Sequence, residues 1–565
     1  MNTVEARAMT SFITLRHGGL SALILFAIAF SGCADTSWRA YGHDSTQFSR
    51  QPNESVLNAS TVSTLHVLWD FSVPGGGALT ASPSVYDNTV YVGSLNGHFY
   101  AIHATGANQG QVRWQYPPTT VPNPPDACGT TTAPMLIAAG SGNPSGPGIA
   151  SSAAVVSNVA GHTAVIFGAP DPNSNGGDGR LWALDEGTGQ CIWKSAVIAS
   201  TSGTSKIGYS SPAIAHGRAY VGVSAKRPDA PITVGKIYAI DLSNGALDPG
   251  FNFSAVGGLA PGGGIWSSPA ITPSGNVVVT TGNSCLHEGG SNCSVIPSPD
   301  YTNSILKLDW HNGNVLWQVQ PVAIQHDFDP DFAASPIVGQ VSCGSLAISV
   351  QKDGFVHAVD IKTGGPFSNP ACSYPGHSLE CPRWSFPPVA SLPFQDDGHG
   401  DSDFKRQGAV DGDHLFIVGG GLDLEPPPGH SEQEVFNRLH SLNVCASDAD
   451  RVRWILPNLP ANAGGISVAN GVIYLGTWSP FDTSATPHHF FAVADTDVLA
   501  PTTFVCSYPS IPSGFLCSSA GFKNVGVPVI VKDLALTGSI QAIPAISGGR
   551  VYVATAGGHL YSLGK

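Results

Sequence analysis

Charge is scarce in this 565-residue chain. Asp, Glu, Lys and Arg together make up 11% of it, well under the roughly 25% of an average soluble domain. The Leu/Glu/Lys periodicity of a helical bundle or coiled coil is missing too. Beyond the N-terminus no apolar run reaches the roughly 18 residues of a membrane-spanning helix. C-x-x-C and C-x-x-C-H do not occur, which removes zinc ribbons, thioredoxin-type motifs and covalently attached haem c. There is no H-E-x-x-H or H-x-x-x-H pair, no Gly-x-Ser-x-Gly elbow and no phosphate loop, so hydrolase and nucleotide-binding chemistry find no support. The net charge of −14 has the wrong sign for a nucleic-acid surface.

What the chain has in quantity is turn chemistry. Its 67 Gly and 44 Pro accompany 42% apolar residues, the profile of a large all-β protein with ample core. An internal repeat gives that profile an architecture. Eight alternating strands recur: Phe99-Tyr100-Ala101-Ile102, Leu181-Trp182-Ala183-Leu184, Ile237-Tyr238-Ala239-Ile240, Ile305-Leu306-Lys307-Leu308, Val356-His357-Ala358-Val359, Leu439-His440-Ser441-Leu442, Phe490-Phe491-Ala492-Val493 and Leu560-Tyr561-Ser562-Leu563. The first seven are followed by a stretch bearing a large aromatic: Trp114, Trp193, Phe251, Trp317, Trp384, Trp454 and Phe504. These aromatics are expected to pack between units.

Each copy is preceded by a hairpin, with Asp87-Asn88 and His216-Gly217 as clear turn signals. Two hairpin strands and two repeat strands make a four-stranded unit. The last copy ends at the C-terminus without a partner strand, and Val67-Leu68-Trp69-Asp70-Phe71 supplies one from the other end of the chain. The expected fold is an all-β, eight-bladed β-propeller of four-stranded blades, its C-terminal blade completed by the N-terminal strand. His488-His489 lies inside a repeat strand, where neighbouring side chains face opposite sides of the sheet.

The N-terminus reads as an export signal. Arg7, Arg16 and His17 precede an apolar run over residues 20–30, long enough for a signal h-region and too short for a span. Ser31-Gly32-Cys33 resembles a bacterial lipobox, with Phe30 in place of the usual Leu. Residues 1–32 are therefore expected to be a signal peptide and residues 33–565 a single propeller domain. Lipidation of Cys33 would leave the protein in the periplasm, at the outer membrane or at the cell surface, touching membrane only through its anchor. Setting Cys33 aside, ten of the 11 cysteines remain, an even number suited to an oxidising compartment. Cys285 with Cys293, Cys372 with Cys381 and Cys506 with Cys517 are close pairs. Cys128, Cys191, Cys343 and Cys445 have partners that spacing does not assign.

The copies GHFYAI (residues 97–102) and GRLWALDEGTGQCIW (residues 179–193), with the opening WRAYGHD (residues 38–44), resemble the tryptophan-docking repeats of pyrroloquinoline quinone (PQQ) propellers. The likeness is to the PQQ-dependent quinoprotein alcohol dehydrogenase family, polyvinyl-alcohol dehydrogenase-like members in particular. It implies PQQ as hydride acceptor, Ca2+ beside it, an alcohol substrate, secondary or polymeric, and a separate electron acceptor such as a cytochrome c. Cofactor-free propellers, including the lipoprotein subunit of the outer-membrane β-barrel assembly machine, share the repeat. A protein-binding scaffold is thus the alternative reading, and a quinoprotein that binds without turning over is another.

The resemblance also distributes roles. Trp266, before Ser267-Ser268-Pro269, corresponds to the floor on which the quinone stacks, a use that suits a large aromatic face. Asn283 in Thr281-Gly282-Asn283 corresponds to a Ca2+ ligand through its side-chain oxygen; as a turn residue it would instead tolerate an unusual φ. Ser224 matches a cofactor-contacting Ser. Asp327, Asp329 and Asp331 form an acidic stretch. Aligning its aromatic on Phe328 makes Asp329 the catalytic base and a metal ligand, whereas aligning on the downstream Ala-Ser-Pro makes it Asp331. Lys352 corresponds to the cation that reaches the quinone oxygens. Two departures stand out. Arg227 occupies the position of a calcium-ligating Glu, which disfavours Ca2+, with Asp229 or Glu288 as substitutes after a loop shift. The adjacent Cys-Cys pair of many members is absent.

Overall fold

Alternating apolar strands with two-residue turns make sheets whose apolar faces are buried against other sheets, and here they are so around a ring. The computed structural model describes residues 35–122, 125–129, 132–136, 148–174, 177–199, 205–206, 210–225, 234–257, 262–283, 299–321, 331–332, 334–351, 356–364, 384–386, 407–418, 439–447, 451–456, 462–478, 487–495 and 528–565. Among them eight antiparallel sheets follow one another in chain order. From innermost to outermost strand, blade 1 runs from Ser84–Tyr86 to Val112–Tyr116, blade 2 from Ala154–Val159 to Cys191–Lys194, blade 3 from Ala213–Ala215 to Phe253–Ser254 and blade 4 from Ala270–Ile271 to Val315–Val319. Blade 5 runs from Ile337–Val341 to Trp384–Phe386, blade 6 from Ala409–Asp411 to Val452–Leu456 and blade 7 from Ser467–Ala469 to Val529–Thr537. In blades 3 and 7 a second short piece, Ser205–Lys206 or Asn462–Ala463, pairs with the same neighbour as the innermost strand.

Blade 8 begins at Ala545–Ser547 and its third strand, His559–Gly564, pairs antiparallel with His66–Ser72. The N-terminal strand thus completes the C-terminal blade, as the unpaired last repeat requires. All eight blades belong to one compact unit, Thr36–Lys565.

The hairpins form for a local reason. Asp87-Asn88 and His216-Gly217 both take left-handed φ, the two-residue turn whose twist matches that of the flanking strands. The repeat's aromatics then join blade to blade. The indole Nε1 of Trp69 donates to the Ala104 carbonyl of blade 1 at 3.0 Å. Trp114 donates to the Glu186 carbonyl of blade 2 at 2.9 Å, Trp193 to Leu242 of blade 3 at 2.8 Å, and Trp317 to Ile361 of blade 5 at 3.1 Å. Trp454 uses the Asp495 carboxylate of blade 7, at 2.9 Å.

The repeat's glycine explains the docking. Gly189 adopts φ +71° in the turn of blade 2, and a Cβ built there would lie 2.6 Å from Trp114 Cδ2. Only glycine gives both the backbone and the flat seat for the ring. These indoles are buried, so the expectation of packing between blades holds.

Blade 7 differs from the expectation. Its outermost strand is Val529–Thr537, which pairs with Pro487–Ala494 and carries no aromatic. Phe504 lies outside the described residues. In Pro487–Ala494, His488 is buried, whereas His489 lies on the other side and binds Asp533 at 2.7 Å. Two cysteine pairings left open by spacing are closed: Cys128 with Cys191, and Cys343 with Cys445. The three close cysteine pairs lie outside the described residues.

Candidate functional site

Two features of the ring's interior fix the frame of the site. The first is a belt of serines. The backbone N–H of Ser82, Ser152, Ser211 and Ser268 each donates to the hydroxyl of the next blade's serine, ending at Ser335, over 2.8–2.9 Å. The N–H of Ile543 in blade 8 donates to Ser82 in the same way. Each serine stands just before an innermost strand, so the belt ties six consecutive blades, 8 and 1 to 5, together near the axis. Four of these serines, Ser82, Ser211, Ser268 and Ser335, stand directly before a proline. The linkage between blades has no signature in a single repeat.

The second feature is a strap, residues 38–51, that runs along the innermost strands themselves. Trp38 pairs with Val85 of blade 1, and the carbonyl of Arg39 accepts from Val155 of blade 2. The Ser45 hydroxyl accepts from Ile214 of blade 3. The carbonyls of Ser45, Thr46, Phe48 and Ser49 accept from Ile271, Val338, Val410 and Val468 of blades 4 to 7. Gln51 Nε2 donates to Ile546 of blade 8 at 3.1 Å. One short segment therefore touches all eight blades in order, and the WRAYGHD opening is its first half.

The candidate residues gather on the side of the belt away from the strap. Trp266 stands two residues before Ser268 and therefore on the chain leading into blade 4. That lead-in is bonded on two sides. The Ile265 N–H donates to the Val223 carbonyl of blade 3 at 3.1 Å, and Gly263 and Gly282 exchange contacts with Asn283 and Gly264 at 2.8 and 2.9 Å. Ser224 follows Val223, and Asn283 follows Gly282, so chain connectivity delivers both to Trp266.

The fit around the ring is close. A Cβ built on Gly264 would lie 3.4 Å from Trp266 Cζ3 and 3.5 Å from the Ser224 Cβ. One built on Gly282 would lie 2.6 Å from Trp266 Cη2. The indole thus rests on Gly282, where any side chain would have to move the ring, and on Gly264, which lies at ordinary contact distance. Ser224 and Asn283 are buried beside it. Trp266 itself is half-buried, unlike the docking tryptophans. Asn283 is not among the described residues with a left-handed backbone, so its side chain, not its φ, distinguishes it.

Asp331 is fully buried on the corresponding lead-in to blade 5, four residues before Ser335. Its neighbour Phe332 packs edge-on against His357 with 5.8 Å between ring centres. Asp329, Asp327, Lys352, Arg227, Asp229, Glu288 and Cys33 lie outside the described residues. The structure therefore brings together Ser224, Trp266 and Asn283, and sets Asp331 one blade further on.

Sequence reasoning passed over Gly264, Gly282 and Asp300. Asp300 belongs to the same connection of blade 4 as Asn283, and burial raises its carboxyl above the ordinary range, with bonds from Thr302 and Gln320 acting the other way. Perturbed carboxyls in such places are candidates for chemistry, but a lone Asp after a Pro-Ser-Pro run carries no signal of its own. Among the described residues no group of three or more His, Cys, Asp and Glu side chains forms a metal site. What they offer is a planar platform on a glycine cradle, which fits a flat aromatic cofactor.

The comparisons with known proteins agree with this geometry at the level of fold. Residues 36–249 match the PQQ_2 family model, described as outer membrane protein assembly factor BamB. No curated protein sequence matches the chain. The quinohemoprotein alcohol dehydrogenase of Comamonas testosteroni superimposes with a TM-score of 0.60 at 17% identity, over 95% of this chain and 82% of that one. Quinohemoprotein alcohol dehydrogenase ADHIIG from Pseudomonas putida HK5 gives 0.61 at 14%, over 94% and 80%. A europium-containing methanol dehydrogenase gives 0.59 at 15%, over 94% and 98%. The chain is an eight-bladed β-propeller with PQQ-type repeats and the fold of the quinoprotein alcohol and methanol dehydrogenases.

Proposed function

We propose that this protein is an exported quinoprotein-type dehydrogenase that oxidises an alcohol with PQQ as the hydride acceptor, secondary and polymeric alcohols being the expected substrates. The observation that carries this reading is the half-buried Trp266 resting on Gly264 and Gly282, with Ser224 and Asn283 beside it. A packing tryptophan needs no open face; a platform for a planar ligand does. The fold shared with three quinoprotein dehydrogenases supports it. PQQ, when bound, takes up hydride from the alcohol carbon.

The chain's residues do the rest. Trp266 supplies the face, and Ser224 and Asn283 the polar edge. Asp329, with Asp331 behind it, removes the hydroxyl proton as general base. Lys352 stabilises the negative charge that grows on the reduced quinone oxygens. The alcohol would leave as a ketone or aldehyde, and a separate carrier such as a cytochrome c would serve as electron acceptor. No step is assigned to Ca2+, because Asn283 is the single proposed ligand that the structure describes and Arg227 stands where a Glu ligand is expected.

A cofactor-free scaffold is the second reading, favoured by the match of residues 36–249 to a model described as an assembly factor. Titration of the purified protein with PQQ, with and without CaCl2, separates the two. The dehydrogenase reading expects stoichiometric binding that Trp266→Ala abolishes, and dye-linked oxidation of a secondary alcohol that Asp329→Asn lowers by about two orders of magnitude or more. Absence of PQQ binding in both buffers would leave the scaffold.

A further inference from the structure

We infer that Gln47 of the strap is the positioning residue for the Trp266 platform, an inference that rests on the proposed use of that platform. Gln47 is 2% exposed. Its Nε2 donates to the carbonyls of Ser268 and Pro269, at 2.9 and 2.5 Å. Its own carbonyl accepts from Gln407 Nε2 of blade 6 at 2.8 Å. Ser268 is two residues from Trp266, a reach of at most about 7 Å along the chain. The hydroxyl of Ser268 also receives the blade 3 N–H, and its N–H donates to blade 5. The strap therefore grips the belt at the one blade that carries the platform, and Ser45 holds the same innermost strand through Ile271.

The geometry explains why a side chain is used here. Blades 5 to 7 are met by the strap directly at their innermost strands, through the carbonyls of Thr46, Phe48 and Ser49, the Gln51 N–H and an Arg50–Asp411 ion pair at 2.6 Å. Ser268 lies deeper, on the platform side of Ala270–Ile271, so only an extended donor from the strap can span to it. The amide of Gln47 satisfies two carbonyls at once, which sets both the height and the tilt of the lead-in that ends in Trp266. A platform must be held to a fraction of an ångström to present its face usefully.

A matched control exists in the same segment. Gln51 is equally buried, and its Nε2 also donates to backbone carbonyls, those of Thr36 and Ile546, but at blade 8. The test compares Gln47→Leu with Gln51→Leu in protein labelled with 5-fluorotryptophan, the Trp266 fluorine resonance being assigned by its loss in Trp266→Phe. Both variants should lower the melting temperature. Gln47→Leu alone should move the Trp266 resonance and raise the Kd for PQQ by about tenfold or more. Gln47→Glu, which keeps the shape and, protonated, one donor, should restore part of both. Equal effects of the two Leu variants on the resonance and on Kd would reduce Gln47 to a structural residue and overturn the inference. Should the unmodified protein bind no PQQ, the proposed function falls, and the Trp266 resonance still decides: a shift confined to Gln47→Leu upholds the positioning role, and its absence ends it.

Discussion

Two glycines show how one residue type serves different ends. Gly189 has a left-handed φ and seats Trp114; Gly282 has an ordinary φ and seats Trp266. Gly189→Ala meets both a strained backbone and a filled seat, so it should cost about 2–5 kcal/mol of stability. Gly282→Ala keeps an unstrained backbone and meets the ring and, 3.0 Å away, the Gly264 carbonyl. Because Trp266 is half-buried, the ring can yield toward the open side. Chemical denaturation should therefore find Gly282→Ala less destabilised than Gly189→Ala, while its PQQ affinity falls by about tenfold or more. The reverse ranking would mean that Trp266 is an ordinary packing residue. Of these two positions, the first was legible from the repeat and the second was not. A docking glycine recurs in register with its tryptophan, whereas Gly282 matters only because the fold brings a distant indole onto it.

At the scale of strands and blades, buried charge is handled by convergence. Asp495 accepts from Arg453 Nη1 at 2.6 Å and Trp454 Nε1 at 2.9 Å, and lies 3.0 Å from His414 Nδ1. Burial alone would raise its carboxyl, but these partners on blade 6 together hold it below the ordinary carboxylate range. A carboxyl lowered on folding adds stability that is present above its unfolded pKa and lost as pH falls through the folded value. The docking of blade 6 on blade 7 should therefore weaken in acid, beginning below about pH 4. Asp495→Asn should be less stable than the parent at pH 7 and show a smaller further loss between pH 5 and pH 3 by thermal denaturation. An unchanged pH dependence would remove Asp495 from the acid response. The repeat announced the tryptophan of this interface; its acidic acceptor, where other blades use a carbonyl, emerges only from the three-dimensional pairing.

For the whole molecule, closure and access have the same origin. Residues 38–51 bind all eight blades, and His66–Ser72 completes blade 8. Both come from one N-terminal segment, so the ring is closed twice by chain that precedes blade 1. A protein starting at residue 73 should lose cooperative unfolding and expose blade 8 to proteolysis. One starting at residue 54, which loses the strap and what precedes it but keeps His66–Ser72, should keep the blades but bind PQQ weakly. If the shorter truncation bound PQQ like the full chain, the strap would have no bearing on the platform.

The sequence by itself determined the fold class, the number of blades, the closing strand and the packing of the repeat's tryptophans between blades. Those properties depend on contacts between neighbours in a repeating pattern, and a pattern of alternating strands, two-residue turns and an unpaired last copy admits few arrangements. Resemblance also singled out Ser224, Trp266 and Asn283, which the fold then placed side by side. Tertiary structure alone decided the serine belt, the course of the strap, the disulfide partners and the outermost strand of blade 7. Each depends on contacts between residues far apart in the chain, where one blade's geometry sets what another must supply. A single amide such as Gln47 carries no periodic mark, and its role follows from lying where the strap, the belt and the platform strand meet.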